Sequence, residues 1–378
     1  MADASRALLI AVLAFALSAC VSTLQRPEIT VDDQNSAQVA GYGTVRLWED
    51  ADPEVWRQWR EAMIAQRSGP GPSGQFEMLS ISSGSDKGAF SAGFLNGWTE
   101  AGTRPPFDIV TGVSTGALIA PFAFLGEEYD PQLRDLYTTI NAKMVYRSRA
   151  LKGLLGASSL ANTEPLADLI ASYATQELVD AVAREHAKGR RLLIQTTNLD
   201  AERGVVWDMG AIAQSDSPSR ITLFRQVLLA SASIPGFFPP VLIDVDSEGF
   251  EFAELHVDGG TTSSLLAIPP SVLFGERAEK QRLRGRITVL YNGALEPVYR
   301  VTKPSTFSII SRALTTALKT ADQRTLTRLE RYGEANGLDV DIYNVGAEAE
   351  DPDAELFDQE FMKELYEIGR SKALETQK

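Results

Sequence analysis

The feature that most constrains the fold of this chain is a serine between two glycines, in the run Gly112-Val113-Ser114-Thr115-Gly116. An apolar segment with β character, residues 107–110, leads into this run, and an apolar segment with helical character, residues 117–124, follows it. Glycines on both sides let the backbone turn sharply and let the next element pack close behind it. We therefore predict a strand, an elbow that exposes the Ser114 hydroxyl, and a helix whose positive end faces the same point. Taken alone, the pattern also fits an ordinary glycine-rich turn.

The order of segments along the chain indicates the fold class. The chain has 378 residues, of which 44% are hydrophobic and 23% are charged, as in ordinary globular proteins. After residue 76, strands alternate with helices, which predicts an α/β fold with a mainly parallel sheet covered on both faces. Residues 68–74 contain three glycines and two prolines. This stretch separates a tether and N-terminal helical collar, residues 20–76, from one large domain, residues 77–378.

Apolar periodicity predicts several individual elements. A helix that begins at Asp52-Pro53 carries Trp56, Trp59 and Met63 on one face, and we expect this face to pack on the main domain. Further helices are expected at about 130–147 and 164–188, and a long one at about 306–332 with Phe307, Ile310, Leu314 and Leu318 along one face. Strands are expected near 77–81, 191–197, 205–207, 241–245, 252–257 and 286–291, with an edge strand at 340–345.

The charge of the chain excludes one class of partner. Its formal net charge is −14, whereas binding to nucleic acid requires clustered Lys and Arg, so no nucleic-acid partner is expected. The same charge disfavours adsorption to anionic lipid by electrostatics alone, so attachment to a membrane would need another device.

The first twenty residues contain a candidate for that device. Arg6 precedes eleven apolar residues, Ala7 to Leu17, which are too few to span a bilayer and fit the core of a signal peptide. The ending Leu17-Ser18-Ala19-Cys20 resembles a bacterial lipobox, in which cleavage leaves the cysteine to be acylated. We expect residues 1–19 to be a lipoprotein signal peptide, Cys20 to carry the lipid, and Val21 after it to favour the outer membrane. The alternatives are a plain secretory signal or a buried helix with a stray thiol.

A serine hydroxyl needs a base before it can act as a nucleophile. The chain has two histidines: His186 lies on a charged helix end and is expected at the surface, and His256 lies two residues before Asp258. The main candidate for the base is Asp258 itself, because Gly259-Gly260 allows a tight turn that exposes its carboxylate at a strand end. The alternatives are a His256 that takes part in the chemistry, and a plain Asp-Gly turn without a role.

The loop Ser83-Gly84-Ser85-Asp86-Lys87-Gly88 could donate backbone N–H groups to an oxyanion. An ordinary turn or a phosphate loop would have similar composition. A dinucleotide site is excluded because serines stand at the first and third positions of G-x-G-x-x-G, where that motif has glycines. No cluster of histidine, cysteine and carboxylate residues has metal-ligand spacing, so the sequence implies neither a metal nor another cofactor.

Four motifs together resemble the patatin-like phospholipases: residues 82–90, 112–116, 231–240 and 258–260, in that order. The resemblance implies a three-layer α/β/α fold with Ser114 as nucleophile and Asp258 as base, without histidine. It also implies an oxyanion hole at Gly84, Ser85 and Asp86, and an acyl pocket near residues 230–240. One departure is that the family loop G-G-G-x-x-G has serines here at positions 83 and 85. If either position needs a positive φ, a serine there costs about 1 kcal/mol or more.

These observations lead to an expectation with two rivals. We expect a lipid-anchored acyl hydrolase of the bacterial cell envelope that cleaves carboxylic esters of phospholipids or lysophospholipids through an acyl-serine intermediate. One rival is an esterase, thioesterase or transacylase with another acyl donor. The other is a non-catalytic envelope lipoprotein that binds lipid or a partner on the same fold, as the serines in the oxyanion loop would favour.

Overall fold

A computed structural model describes residues 26–66, 75–148, 159, 161–266, 285–349 and 355–376. The expected signal peptide and Cys20 lie outside these residues. None of the helices in the described ranges combines the length and the apolar content needed to cross a bilayer.

A nine-stranded sheet forms the centre of the fold, in the order β1-β7-β6-β3-β2-β10-β11, with β9 pairing to β6 and β8 pairing to β9. The strands are β1 (Arg46–Trp48), β2 (Phe76–Ile81), β3 (Ile109–Val113), β4 (Arg147–Ser148), β5 (Ala161–Asn162), β6 (Arg191–Asn198), β7 (Arg203–Asp208), β8 (Val241–Ser247), β9 (Phe250–Asp258), β10 (Gly285–Tyr291) and β11 (Asp339–Asn344). The short strands β4 and β5 form a separate pair. Strands β6, β3, β2, β10 and β11 run parallel, and the remaining pairs of the large sheet are antiparallel.

Helices cover both faces of this sheet. They are α1 (Val31–Ser36), α2 (Pro53–Gln66), α3 (Gly88–Glu100), α4 (Thr115–Leu125), α5 (Asp130–Thr139), α6 (Ala142–Val145), α7 (Glu164–Tyr173), α8 (Gln176–Ala187), α9 (Met209–Gln214), α10 (Arg220–Ser231), α11 (Thr306–Asn336) and α12 (Gln359–Thr376). Alternate residues of each strand point to opposite faces. On β2, Leu79 joins a core that includes α3, α4, α8, α10 and α12, whereas Met78 joins a second core with α2 and α11.

The expected three-layer α/β fold with a mainly parallel core is therefore confirmed. The edge strand expected at 340–345 is β11, and the hairpin across residues 198–204 is the antiparallel pair β6–β7. The helix with Trp56 and Met63 packs on the main sheet, as expected, and both side chains are buried. The segment before residue 77 also supplies a strand to this sheet, because β1 pairs with β7.

Two of the expected helices are broken. The segment 130–147 is interrupted at Ile140, whose backbone is extended, and the segment 164–188 is interrupted where Thr175 caps a new helix by accepting from the Leu178 N–H. The long helix continues to Asn336 and ends at Gly337, whose φ is 75°. Its second half packs through Leu326 and Leu329 into the second core, which also contains Met78.

Helices α3 and α12 cross so closely that only glycine fits at the contact. A Cβ atom on Gly93 would lie 1.9 Å from the carbonyl oxygen of Tyr366, and one on Gly369 would lie 2.0 Å from that of Phe90. Both distances are far below any real contact between nonbonded atoms. The last helix is thereby held against α3, the helix that follows the loop of residues 82–87.

We expect Gly93→Ala to destabilise the fold by about 2 kcal/mol or more, because the added methyl group forces two backbones apart. Thermal unfolding followed by circular dichroism measures the loss as a lower Tm. Gly43→Ala is the control, since a Cβ there meets nothing within 4 Å. Equal melting temperatures for the two variants would contradict the close crossing.

Candidate active site

The serine elbow has the strained geometry expected of a nucleophile turn. β3 ends at Val113, Ser114 has φ 56° and ψ −119°, and α4 begins at Thr115. A non-glycine residue in this region of φ costs about 1 to 3 kcal/mol, so the surrounding structure must hold it. Gly116 permits the turn because a Cβ there would lie 2.3 Å from the carbonyl oxygen of Ile81 on β2.

A serine that the sequence did not reveal as part of the site holds the elbow in place. The Ser114 N–H donates to the Ser231 hydroxyl oxygen at 3.0 Å, and the Ser231 hydroxyl donates to the carbonyl oxygen of Gln195 on β6 at 2.7 Å. Ser231 is fully buried at the end of α10. The only signal in the sequence is that this serine begins the segment 231–240, which shares its pattern with the family.

Strand register brings Asp258 to the elbow. Val113 pairs with Gln195, and Asp258 pairs with Thr196, so neighbouring residues of β6 carry the two ends of the site. The Asp258 N–H donates to the carbonyl oxygen of Ser233 at 2.9 Å, and its Oδ1 accepts from the Gly260 N–H at 2.7 Å. Both backbone and carboxyl are therefore fixed by the segments on either side.

The Asp258 carboxyl is buried beside the Ser114 hydroxyl. Burial raises the pKa of Asp258 from 3.8 to about 7, although the Ser114 hydroxyl and the Gly260 N–H act to lower it. Oδ2 makes no hydrogen bond with the described part of the chain, so the approach of Ser114 falls short of hydrogen-bond geometry. Catalytic hydrogen bonds are often long in the absence of substrate and tighten when it binds.

The two histidines both belong to the packed interior. His256 is fully buried, and its ring nitrogens contact Thr196 Oγ1 at 2.9 Å and Glu254 Oε2 at 3.0 Å. Although burial acts to raise it, the pKa of Glu254 falls to about 2 because His256 and Arg46 both stabilise the carboxylate. His256 is thus engaged in a structural network with partners other than Ser114 and Asp258.

The expectation that His186 lies at the surface was wrong. Its side chain is 4% exposed, and its Nδ1 lies 3.4 Å from Asp208 Oδ1. A Cβ on Gly210 would lie 2.3 Å from Nδ1, so the end of α8 packs directly on α9. His186 has charged neighbours in the sequence, so its helix face was expected in solvent. In the structure that face is covered by Gly210, which is distant in the sequence.

The loop after β2 is anchored by hydrogen bonds on both sides. The Ser83 N–H donates to the Ser264 carbonyl oxygen at 2.8 Å, and the Asn292 amide Nδ2 donates to the Ser82 carbonyl oxygen at 2.9 Å. Asn292 was not foreseen, and its only signal is its place directly after β10. The Asp86 carboxyl accepts from the Phe357 N–H at 2.9 Å, and burial raises the pKa of Asp86.

Ser85 occupies the strained position that the comparison with a triple-glycine loop suggested. Its φ is 56°, so the condition under which a serine is costly is met at position 85. Its hydroxyl is buried and makes no hydrogen bond with the described residues. The backbone N–H groups of Gly84 and Ser85 likewise donate to no described acceptor. The loop therefore contains two backbone donors, at Gly84 and Ser85, that have no partner among the described residues.

Ser114 and Ser85 share an apolar cavity of about 50 Å³. Leu118, Ile234, Phe238 and Phe357 are among the side chains that line it. Ile234 and Phe238 come from the segment expected near an acyl chain, and Phe238 is also buried in the core. Binding sites for small molecules are commonly several hundred Å³, so an acyl chain of more than a few carbons must displace lining side chains.

A larger and more polar cavity, of about 440 Å³, shares the same loop through Ser83, Gly84, Asp86 and Lys87. Arg300, Arg312 and Lys319 also line it, together with Asp322. Within the described ranges, no three His, Cys, Asp or Glu residues are grouped so that they could hold a metal ion.

The fold and the site define a class of α/β protein with three features: an elbow serine, a buried carboxyl beside it, and a glycine-containing loop after β2 with backbone N–H groups that have no partner in the described part of the chain. A sequence model of patatin-like phospholipases matches residues 79–269, half of the chain. The chain belongs to the patatin-like phospholipase family, and lipid acyl hydrolysis is the activity that this family supports. The family expected from the four motifs is thereby confirmed.

The fold is also similar to that in the crystal structure of VipD from Legionella pneumophila. The two chains are 13% identical, the similarity covers 81% of this chain and 69% of VipD, and the TM-score is 0.41. The comparison with curated proteins found no match.

The burial of Asp258 predicts a stability change that depends on pH. A carboxyl whose folded pKa is raised favours the fold when protonated, and this contribution is lost as pH rises from 3.8 to about 7. Asp258→Asn removes the buried charge, so we expect it to be more stable than the parent, with an advantage that grows by roughly 1 kcal/mol between pH 6 and pH 8.5. Chemical unfolding at the two pH values measures this.

Asp244→Asn is the matched control, because residue 244 is exposed on β8 and the substitution there removes no buried charge. An Asp258→Asn variant with the same stability advantage at both pH values would contradict the raised pKa.

Proposed function

We propose that this chain is a serine acyl hydrolase that cleaves carboxylic esters of phospholipids or lysophospholipids through Ser114 and Asp258. The observation that carries the proposal is a strained elbow serine beside a buried carboxyl whose pKa is raised to about 7, at the wall of an apolar cavity. A base with a pKa near the working pH combines availability with proton affinity.

In the proposed reaction, the Asp258 carboxylate takes the hydroxyl proton of Ser114 while the oxygen attacks the ester carbonyl carbon. The tetrahedral intermediate collapses to an acyl-serine, and protonated Asp258 returns the proton to the leaving alcohol. The carboxylate then takes a proton from water as the water oxygen attacks the acyl-serine. When this second intermediate collapses, Asp258 returns the proton to the Ser114 oxygen, and the fatty acid leaves. No metal or other cofactor takes part in these steps.

We propose that the loop of residues 83–88 stabilises the oxyanion through its backbone N–H groups. Its candidate residues are Gly84, Ser85 and Asp86, and the N–H groups of Gly84 and Ser85 have no described acceptor in this structure. Loss of one such donor typically lowers the rate by about 100- to 1,000-fold. The strain at Ser85 is consistent with a position that is held for its donors rather than for stability.

The size of the cavity at Ser114 keeps a second candidate open. About 50 Å³ of space suits a short acyl chain better than a long one, which favours an esterase, thioesterase or transacylase with a smaller acyl donor. The phospholipid reading requires the lining side chains, such as Ile234 and Phe357, to separate when the acyl chain enters.

We further propose that Cys20 carries a lipid anchor after removal of residues 1–19, and that the protein resides at the bacterial outer membrane. The lipobox-like ending at Cys20 and the Val21 that follows it support this assignment. Stable attachment requires more than one acyl chain or a second membrane contact.

The activity is tested by release of fatty acid from phospholipid vesicles and by labelling with a fluorophosphonate. We expect Ser114→Ala to lose at least about 1,000-fold in kcat and all labelling, because the nucleophile is gone. Asp258→Asn should lose about 100- to 10,000-fold in kcat, because a general base is gone. Ser172→Ala, with an exposed serine on α7, is the control and should retain both signals.

The outcomes separate the three readings. Hydrolysis of soluble short esters without hydrolysis of vesicles would favour the smaller acyl donor. A parent chain that neither labels nor hydrolyses would favour the non-catalytic lipoprotein. Full lipid cleavage by Ser114→Ala would show that the nucleophile lies elsewhere.

A further inference from the structure

The first half of α11 and the loop before it expose an unusual amount of apolar surface. Tyr299, Val301, Ile309, Ile310 and Leu314 are 53–92% exposed, and they are five of the eleven large apolar side chains exposed in the described ranges. We refer to residues 299–320 as the 299–320 surface. The helix of this surface is α11, whose predicted apolar face includes Ile310 and Leu314. Both of these side chains are exposed to solvent.

The charge of this surface is opposite to that of the whole chain. Residues 299–320 contain Arg300, Lys303, Arg312 and Lys319 and no acidic residue, whereas the chain has a net charge of −14. The concentration of cations beside exposed apolar side chains is therefore a local property that the net charge conceals. Such a combination is typical of segments that lie on anionic membranes.

Hydrogen bonds join the loop and the helix into one surface. Arg312 donates to the carbonyl oxygen of Val298 at 2.6 Å, and Lys319 donates to that of Glu296 at 3.0 Å. The stems of these side chains thereby hold residues 296–298 against α11. The exposed Tyr299 and Val301 follow directly in the chain.

The same surface borders the active-site loop. Arg300, Arg312 and Lys319 line the 440 Å³ cavity, and Ser83, Gly84 and Lys87 line the same cavity. Ser85 of that loop faces the cavity that contains Ser114. A lipid held at the 299–320 surface would thus be next to the loop that the proposed reaction uses.

We propose that the 299–320 surface docks on an anionic phospholipid bilayer. This proposal rests on the proposed function only in taking lipid as the substrate. The apolar side chains enter the interfacial region, and the cations contact lipid phosphates. A second copy of the chain docking through the same patch would place these cations against each other, because a two-fold interface pairs identical surfaces. The bilayer supplies the opposite charge.

The test places an environment-sensitive fluorophore on Ile310→Cys in the full chain carrying Ser114→Ala. Vesicles contain either phosphatidylcholine alone or phosphatidylcholine with phosphatidylglycerol, each with a spin-labelled lipid as quencher. Phe250→Cys is the matched control, since Phe250 is 48% exposed on β9 and lies outside the surface. The parent chain, whose sole cysteine is Cys20, supplies the background.

We expect the label at 310 to shift to the blue and to be quenched on phosphatidylglycerol vesicles, while the label at 250 does neither. Adding Arg300→Gln and Lys303→Gln should abolish the preference for the anionic vesicles. Because Ser114 is absent, these results do not depend on whether the chain hydrolyses lipid. The proposal is overturned if the label at 310 stays in water on both vesicles, or if it becomes buried without vesicles as protein concentration rises, which would indicate a second copy.

Discussion

The desolvation of the Asp258 carboxyl is the interaction on which the proposed chemistry at Ser114 depends. A carboxylate in water is too weak a base for a serine hydroxyl, and burial raises the pKa of Asp258 to about 7. The same burial is unfavourable to the folded state once the group ionises. The protein therefore holds a destabilising charge at the point where the proposed chemistry needs a base, and the sheet must supply the stability that offsets it.

One segment, which begins with the last residue of α10, fixes both members of the proposed pair. The Ser231 hydroxyl accepts from the elbow N–H, the Ser233 carbonyl oxygen accepts from the Asp258 N–H, and Ile234 lines the cavity beside Ser114. The positions of the proposed nucleophile, the proposed base and the cavity beside them are thus coupled through four consecutive residues, 231–234. A change of backbone in this segment would be felt by all three at once, which is a stronger constraint than the apolar composition of residues 231–240 suggests.

Local patterns in the sequence predicted the helices and strands. Contacts between residues far apart in the chain determine which side chains are buried and which hold the site in place. The elbow at Ser114 and the hairpin β6–β7 follow from glycine spacing and strand periodicity over a few residues. The burial of His186 against Gly210 and the hydrogen bond from Ser114 to Ser231 join residues that are far apart in the chain, so no local pattern contains them. The uncovered face of α11 was equally invisible, because an apolar stripe looks the same whether the fold or an external surface covers it.

Lipid chemistry at Ser114 and docking through the 299–320 surface would place reaction and membrane on adjoining parts of the molecule. The reaction itself depends on Asp258 acting as the base. The most direct test is the pH dependence of the rate constant with which a fluorophosphonate modifies Ser114. If Asp258 is the base, the rate constant should rise with pH and level off with an apparent pKa near 7, and Asp258→Asn should lose that inflection. A rate constant that does not change between pH 5.5 and 8.5, or an inflection that survives the substitution, would contradict the assignment of Asp258 as the base.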